Sequence, residues 1–133
     1  MGTFDAIGIA STGLTVHRKW LDAVSDNLAN ANNVAPTDGA AFQARYVVAT
    51  AMDYGEPAGA QVAGIELGDA EGRLVHEPDH PLADEDGYVR YPDVDMASQM
   101  TQLIMAQRGY QASAAVVDRA RESYQSALQI GKN

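Results

Sequence analysis

The chain has 133 residues, 18 acids against nine bases for a formal net charge of −9, 46% apolar residues and no cysteine. Its length suits one domain, or one domain with a small insertion, and the missing cysteines exclude disulfides, thiolate metal sites and a cysteine nucleophile. The negative balance argues against nucleic acid and anionic membrane surfaces, which are met by clustered Lys and Arg, and no uninterrupted apolar run is long enough to span a membrane.

The charge is unevenly placed. Between Asp53 and Asp95 stand 12 acids and two bases, Arg73 and Arg90, whereas the rest of the chain has six acids and seven bases. A net of −10 in the middle suits a solvated module, and near-neutral ends suit close packing. The first residues carry no basic stretch followed by an apolar run, so no cleavable secretion signal is expected.

The first predicted element is a helix from Phe4 to about Asn32. Ile7, Leu14, Leu21 and Leu28 recur every seven residues, and Ala10, His17, Val24 and Ala31 stand three after each. Thr3 is the expected N-cap, with Asp5 in the first turn. Gly8 and Gly13 each cost a helix about 1 kcal/mol relative to Ala, so this segment is expected to need packing for its order. The helix should fray through Asn30, Asn32 and Asn33 and end before Pro36.

A turn-rich connector, Val34 to Ala40, comes next. Phe42, Ala44, Tyr46 and Val48 alternate with Gln43, Arg45, Val47 and Ala49, a strand pattern. Asp53–Gly59 reads as a loop. Gln61–Leu67 and Arg73–His76 read as two strands joined into a hairpin through Gly68–Gly72. His76–Gly87 is too rich in Pro, Asp and Gly for regular structure. Tyr88–Tyr91 reads as a short strand, Pro92 stops it, and Asp93 or Asp95 caps the next helix.

The last element is that long helix, from Asp93 to about Ile130, roughly 55 Å at 1.5 Å per residue. Met96, Leu103, Tyr110, Val117 and Tyr124 hold one heptad position, and Met100, Gln107, Ala114, Arg121 and Leu128 fall four after each. Such a stripe is coiled-coil-like and needs a long partner. Gln107 and Arg121 interrupt it, either to fix register or because helix curvature turns them outward. The partner is the first helix, another chain, or both. The expected fold class is therefore mainly α: long terminal helices forming a coiled-coil-like pair or bundle around a small β-rich insertion, with core segments 1–35 and 93–133 and an acidic module 36–92.

Candidate chemistry is sparse. His76-Glu77-Pro78-Asp79-His80 has the letters of a zinc-peptidase motif, which needs both His on one helical face. Pro78 and Pro81 forbid that helix. Asp84, Asp86 and Gly87 read as an exposed acidic turn, since the further ligands of a calcium loop are missing. His17 lies on the first seam, where a packed or partner-bonded histidine is expected rather than a metal ligand. No catalytic, cofactor-binding or metal residue is expected, and the chain does not read as an enzyme.

Three stretches resemble a known family, the bacterial flagellar rod and hook axial proteins. The first runs through Gly13, Leu14, Arg18, Leu21, Asp22, Asn27, Leu28, Ala29, Asn30 and Asn32. The second, His76 to Asp95, resembles the signature of the short proximal-rod members, with Pro78, His80, Pro81, Ala83, Asp86, Gly87, Tyr88, Val89, Pro92 and Val94 in place. The third is the closing helix, with Met100, Arg108 and Tyr110. Where such proteins usually have Glu before that Met, this chain has Gln99, and after the first helix it has Asn33-Val34-Ala35-Pro36 in place of Asn-Thr-Thr-Gly.

The resemblance implies a structural subunit of the basal-body rod, the periplasmic drive shaft. It would leave the cytoplasm unprocessed through the flagellar type III export apparatus. Its terminal helices would pack into a tube that transmits torque and encloses the export channel. Implied partners are other rod subunits, FlgB and FlgF among them, and the adaptor between rod and export gate. Subunit-interface residues are expected at Leu14, Leu21, Asn27, Leu28, Asn30, Met100, Leu103, Tyr110, Val117 and Leu128. The alternative is a soluble helical-hairpin adaptor or chaperone of a secretion system, which explains the seams but not the His76–Asp95 signature.

Overall fold

The computed structural model describes residues 2–132. Helix α1 spans Thr3–Ala29. Gly2, not Thr3, takes the N-cap position in extended conformation, and Asp5 Oδ2 accepts its backbone N–H at 2.9 Å. Thr3 is instead the first helical residue. At the other end, Asn30 Nδ2 donates to the Asp26 carbonyl at 2.8 Å, which satisfies one orphan acceptor of the last turn.

Four strands come next among the described residues: β1 Arg45–Asp53, β2 Pro57–Leu67, β3 Arg73–His76 and β4 Tyr88–Tyr91. β1 pairs antiparallel with β2, and β3 with β4. The expected β2–β3 hairpin is thus corrected. Gly68–Gly72 carries the chain from one two-stranded sheet to the other, and the turn at Tyr54–Glu56 closes the real hairpin, with Gly55 at φ +92°. Both sheets are held locally: Gly68 N–H donates to Ala44 C=O at 2.7 Å, and Ala35 exchanges two 2.8 Å backbone bonds with Arg90. With strands of nine, eleven, four and four residues beside helices of 27 and 35, the chain is a helical pair plus a substantial β module rather than mainly α.

Helix α2 spans Met96–Ile130, and Asp95 caps it by accepting from Ala97 N–H at 3.2 Å. It runs antiparallel to α1. Phe4 meets Tyr124 edge to face at 4.9 Å, Gly13 faces Ser113, Gly109 faces His17, and Asn27 meets Gln99. The best-buried residues gather where α1 ends, the β module begins and α2 starts: Val24, Ala31, Ala44, Val89, Pro92 and Val94. The hairpin opens away from that junction, and β2 leans on α1 through a 3.1 Å bond from Ala60 N–H to Thr12 Oγ1.

Candidate assembly interface

The α1–α2 seam is made inside the chain, and its closest contacts are between small and polar groups. A Cβ added at Gly109 would overlap the His17 ring, and one at Gly13 would lie 2.8 Å from Ser113 Oγ. Ala106, one turn before Gly109 on α2, is fully buried. His17 Nδ1 is bonded to Gly13 C=O at 2.7 Å, so its ring lies flat along its own helix in the space Gly109 leaves. Trp20 Nε1 donates to Gln102 Oε1 at 3.3 Å. The helices approach closely because these positions have little or no side chain.

Several large side chains of α2 stay outside that seam. Met96, Met100 and Ile104, one turn apart, are 47, 50 and 49% exposed. Beyond Tyr124, α2 outruns α1, and Leu128 and Ile130 are exposed. Of the expected interface residues, Met100, Tyr110 and Leu128 are exposed; Leu14, Leu21, Leu28, Asn30, Leu103 and Val117 are half-buried along the hairpin. Gln107 and Arg121 are exposed, so they lie outside the internal seam.

Asn27 is the exception. Expected at the subunit interface, it is fully buried within the chain. Its Oδ1 accepts Arg45 N–H at 2.8 Å, and its Nδ2 donates to Arg45 C=O at 2.9 Å and to Gln99 Oε1 at 3.0 Å. One carboxamide thereby ties α1, the foot of β1 and the first turn of α2. Arg45 returns to α1 through an ion pair with Asp26 at 2.6 Å. Only the Asn27 letter was visible in the sequence as a site residue; nothing in the spacing of Gln99 or Arg45 pointed to this junction.

The His76–Asp95 stretch folds into a braced loop over the β3–β4 ladder. Glu77 N–H donates to Gly87 C=O at 2.8 Å, and Tyr91 Oη donates to Glu77 Oε1 at 3.0 Å. That bond, with some burial, raises the Tyr91 phenol above its ordinary range. Asp84 Oδ1 accepts Tyr88 N–H at 2.8 Å and Asp86 N–H at 3.0 Å, while its Oδ2 accepts the Thr37 hydroxyl at 2.9 Å. These donors, Tyr88 N–H foremost, hold the Asp84 carboxyl below its usual value. Gly87 is buried at φ +83°, with His76 and Pro78 against it. His76 ends β3 and stacks edge-on to Tyr88, and His80 Nδ1 accepts Leu82 N–H at 3.0 Å; the two histidines share no helical face. Arg90 reaches from β4 to Thr37 C=O at 2.8 Å and to Glu71 C=O.

A helical hairpin closed at its tightest points by small residues, with Met96, Met100, Ile104, Leu128 and Ile130 left exposed, is the build of a structural subunit. Comparison with known proteins narrows the class. The family model described as flagellar basal body rod FlgEFG protein C-terminal matches residues 85–130. The flagellar basal-body rod protein FlgC of Yersinia enterocolitica is 35% identical over 134 residues, covering 99% of this chain and all of the relative. FlgC of Escherichia coli O6:H1 is 34% identical over 134 residues with the same coverage. FlgC of Borreliella burgdorferi is 31% identical over 149 residues, covering 98% of each chain.

The chain belongs to the FlgC family of flagellar basal-body rod proteins. It is a structural rod subunit, not an enzyme, and the relatives do not favour the adaptor or chaperone alternative.

Proposed function

We propose that the terminal segments 1–35 and 93–133 pack with those of neighbouring subunits into the wall of the rod, with the acidic module 36–92 further out. The wall transmits torque and encloses the export channel. Its partners are FlgB, FlgF and related rod subunits and the adaptor between rod and export gate. The chain reaches the periplasmic rod through the flagellar type III export apparatus without loss of a signal peptide. Among the described residues, no helix is long and apolar enough to cross a membrane.

One observation carries this reading: after the hairpin has closed, Met96, Met100, Ile104, Leu128 and Ile130 stay exposed. Apolar area left in water favours association by about 25 cal/mol per Å² once buried. The half-buried Leu14, Leu21, Leu28, Asn30, Leu103 and Val117, with exposed Tyr110, flank that face and are proposed to complete the contact. Sedimentation of the purified full chain against concentration tests this. Association that Met100→Asp and Leu128→Asp abolish, with unchanged circular dichroism, is the expected result. A monomer at every concentration overturns it.

A further inference from the structure

Two apolar features of opposite shape lie on opposite sides of α2. The ridge is Met96, Met100 and Ile104, spaced four residues apart, and Arg108 continues the same row. The groove lies where α1, α2 and β2 meet, lined by Ile9, Gly13, Gly59, Ala60, Ala112 and Val116, and holds about 600 Å³. At roughly 100° per residue the i+4 row drifts by about 40° a step, so the groove's α2 wall at Ala112 and Val116 points about 140° away from the middle of the ridge around the helix. A groove of glycine and alanine accepts a large side chain, and methionine is the flexible one that fills uneven space. The charges agree with this fit. A depression sharing Ile9 with the groove carries Asp5 and Glu56. Among the described residues the only ion pair is Asp26–Arg45, which leaves Arg108, Asp5 and Glu56 without one.

Resting on the rod-packing reading above, we infer that the groove's occupant is the Met96–Ile104 ridge of a second copy of this chain, with that copy's Arg108 directed to Asp5 and Glu56. A ridge and a groove on opposite sides cannot both be satisfied by one partner. The contact is therefore head-to-tail and propagates, where a two-fold contact would close.

The native chain lacks cysteine, so the test is clean. Met100 and Ala112 lie about 18 Å apart along α2, beyond disulfide reach within one chain. Oxidising the full chain carrying Met100→Cys and Ala112→Cys together should give a ladder of dimers, trimers and higher species. Each single variant alone should give no ladder, and the two mixed should give dimers. Ala112→Phe, at an exposed position, should leave the helical signal intact and raise the concentration for half-assembly by about tenfold or more. A double variant that stops at dimers overturns the head-to-tail contact. A chain that polymerises with no such cross-link overturns the groove assignment and leaves helix packing standing. A chain that never associates overturns both.

Discussion

The side-chain amide of Asn27 and the backbone of Arg45 pair as two strand residues do, Oδ1 receiving the Arg45 N–H at 2.8 Å and Nδ2 giving to its C=O at 2.9 Å. The second Nδ2 proton goes to Gln99 Oε1 at 3.0 Å, so both amide protons and the oxygen of a fully buried group are used. The bond to Arg45 also fixes which end of the amide is oxygen. Asn27→Ala should therefore leave the part-buried N–H and C=O of Arg45 and the buried Gln99 Oε1 without this partner, at a cost of roughly 2–4 kcal/mol. Asn27→Asp should cost at least as much. It keeps the acceptor but sets a charged oxygen against two others, Arg45 C=O and Gln99 Oε1. Urea midpoints of the full chain measure both. A change under about 0.5 kcal/mol, ordinary for a surface site, would mean that the amide is not a junction.

The helices and the acidic β module were legible because period and charge report an element's own surface. What they do not report is which element covers it. The heptad stripe on α2 runs through large apolar residues, of which Leu103 and Val117 are half-buried along the hairpin while Met96, Met100 and Tyr110 stay exposed. The closest contacts use Gln99, Ala106, Gly109 and Ser113, because small side chains let two backbones approach and large ones hold them apart. Gly68–Gly72 has the composition of a hairpin turn, but composition does not distinguish a turn within a sheet from a passage between sheets; the bond from Gly68 N–H to Ala44 C=O decides that. Asn27 was readable as a motif letter. Its role depends on Arg45 and Gln99, far apart in sequence, arriving at one point.

Two glycines on one helical hairpin give opposite expectations. Around Gly8 nothing stands within 4 Å of an added Cβ, so Gly8→Ala should stabilise α1 by about 1 kcal/mol through helix propensity alone. Gly109→Ala gains the same propensity but overlaps the His17 ring and must displace it from Gly13 C=O. Net destabilisation is expected there, and the double variant Gly109→Ala with His17→Ala should recover part of it. Additive effects in that cycle would show that the two residues do not touch.

Acid and alkali should act on different parts of the β3–β4 region. Asp84 has its carboxyl depressed below 3.8, chiefly by Tyr88 N–H, so its contribution is present above that value and is lost as pH falls through the lower, folded one. Tyr91 is raised above 10.0, chiefly by Glu77. Its contribution is complete below 10.0 and is lost as pH rises through the higher, folded value. Amide exchange of Tyr88 and Gly87 reports the first change and tyrosine absorbance the second. Asp84→Asn keeps an oxygen for Tyr88 N–H and should remove the acid dependence, and Tyr91→Phe should remove the alkaline step assigned to this residue.

The last turns of α2 separate folding from assembly. From Arg121 to Lys132 the described side chains are exposed, and the Phe4–Tyr124 ring contact is where α1 runs out. Leu128 and Ile130, the latter 77% exposed, project past it. Ending the chain after Tyr124 removes these two apolar side chains and no buried one among the described residues, so the urea midpoint should shift by no more than about 0.5 kcal/mol, the range of surface changes. Under the rod-wall reading the same truncation should abolish association in sedimentation and incorporation into basal bodies. A truncated chain that assembles normally would place the contact wholly on the Met96–Ile104 side of α2; one that unfolds would show that the overhang packs on its own subunit.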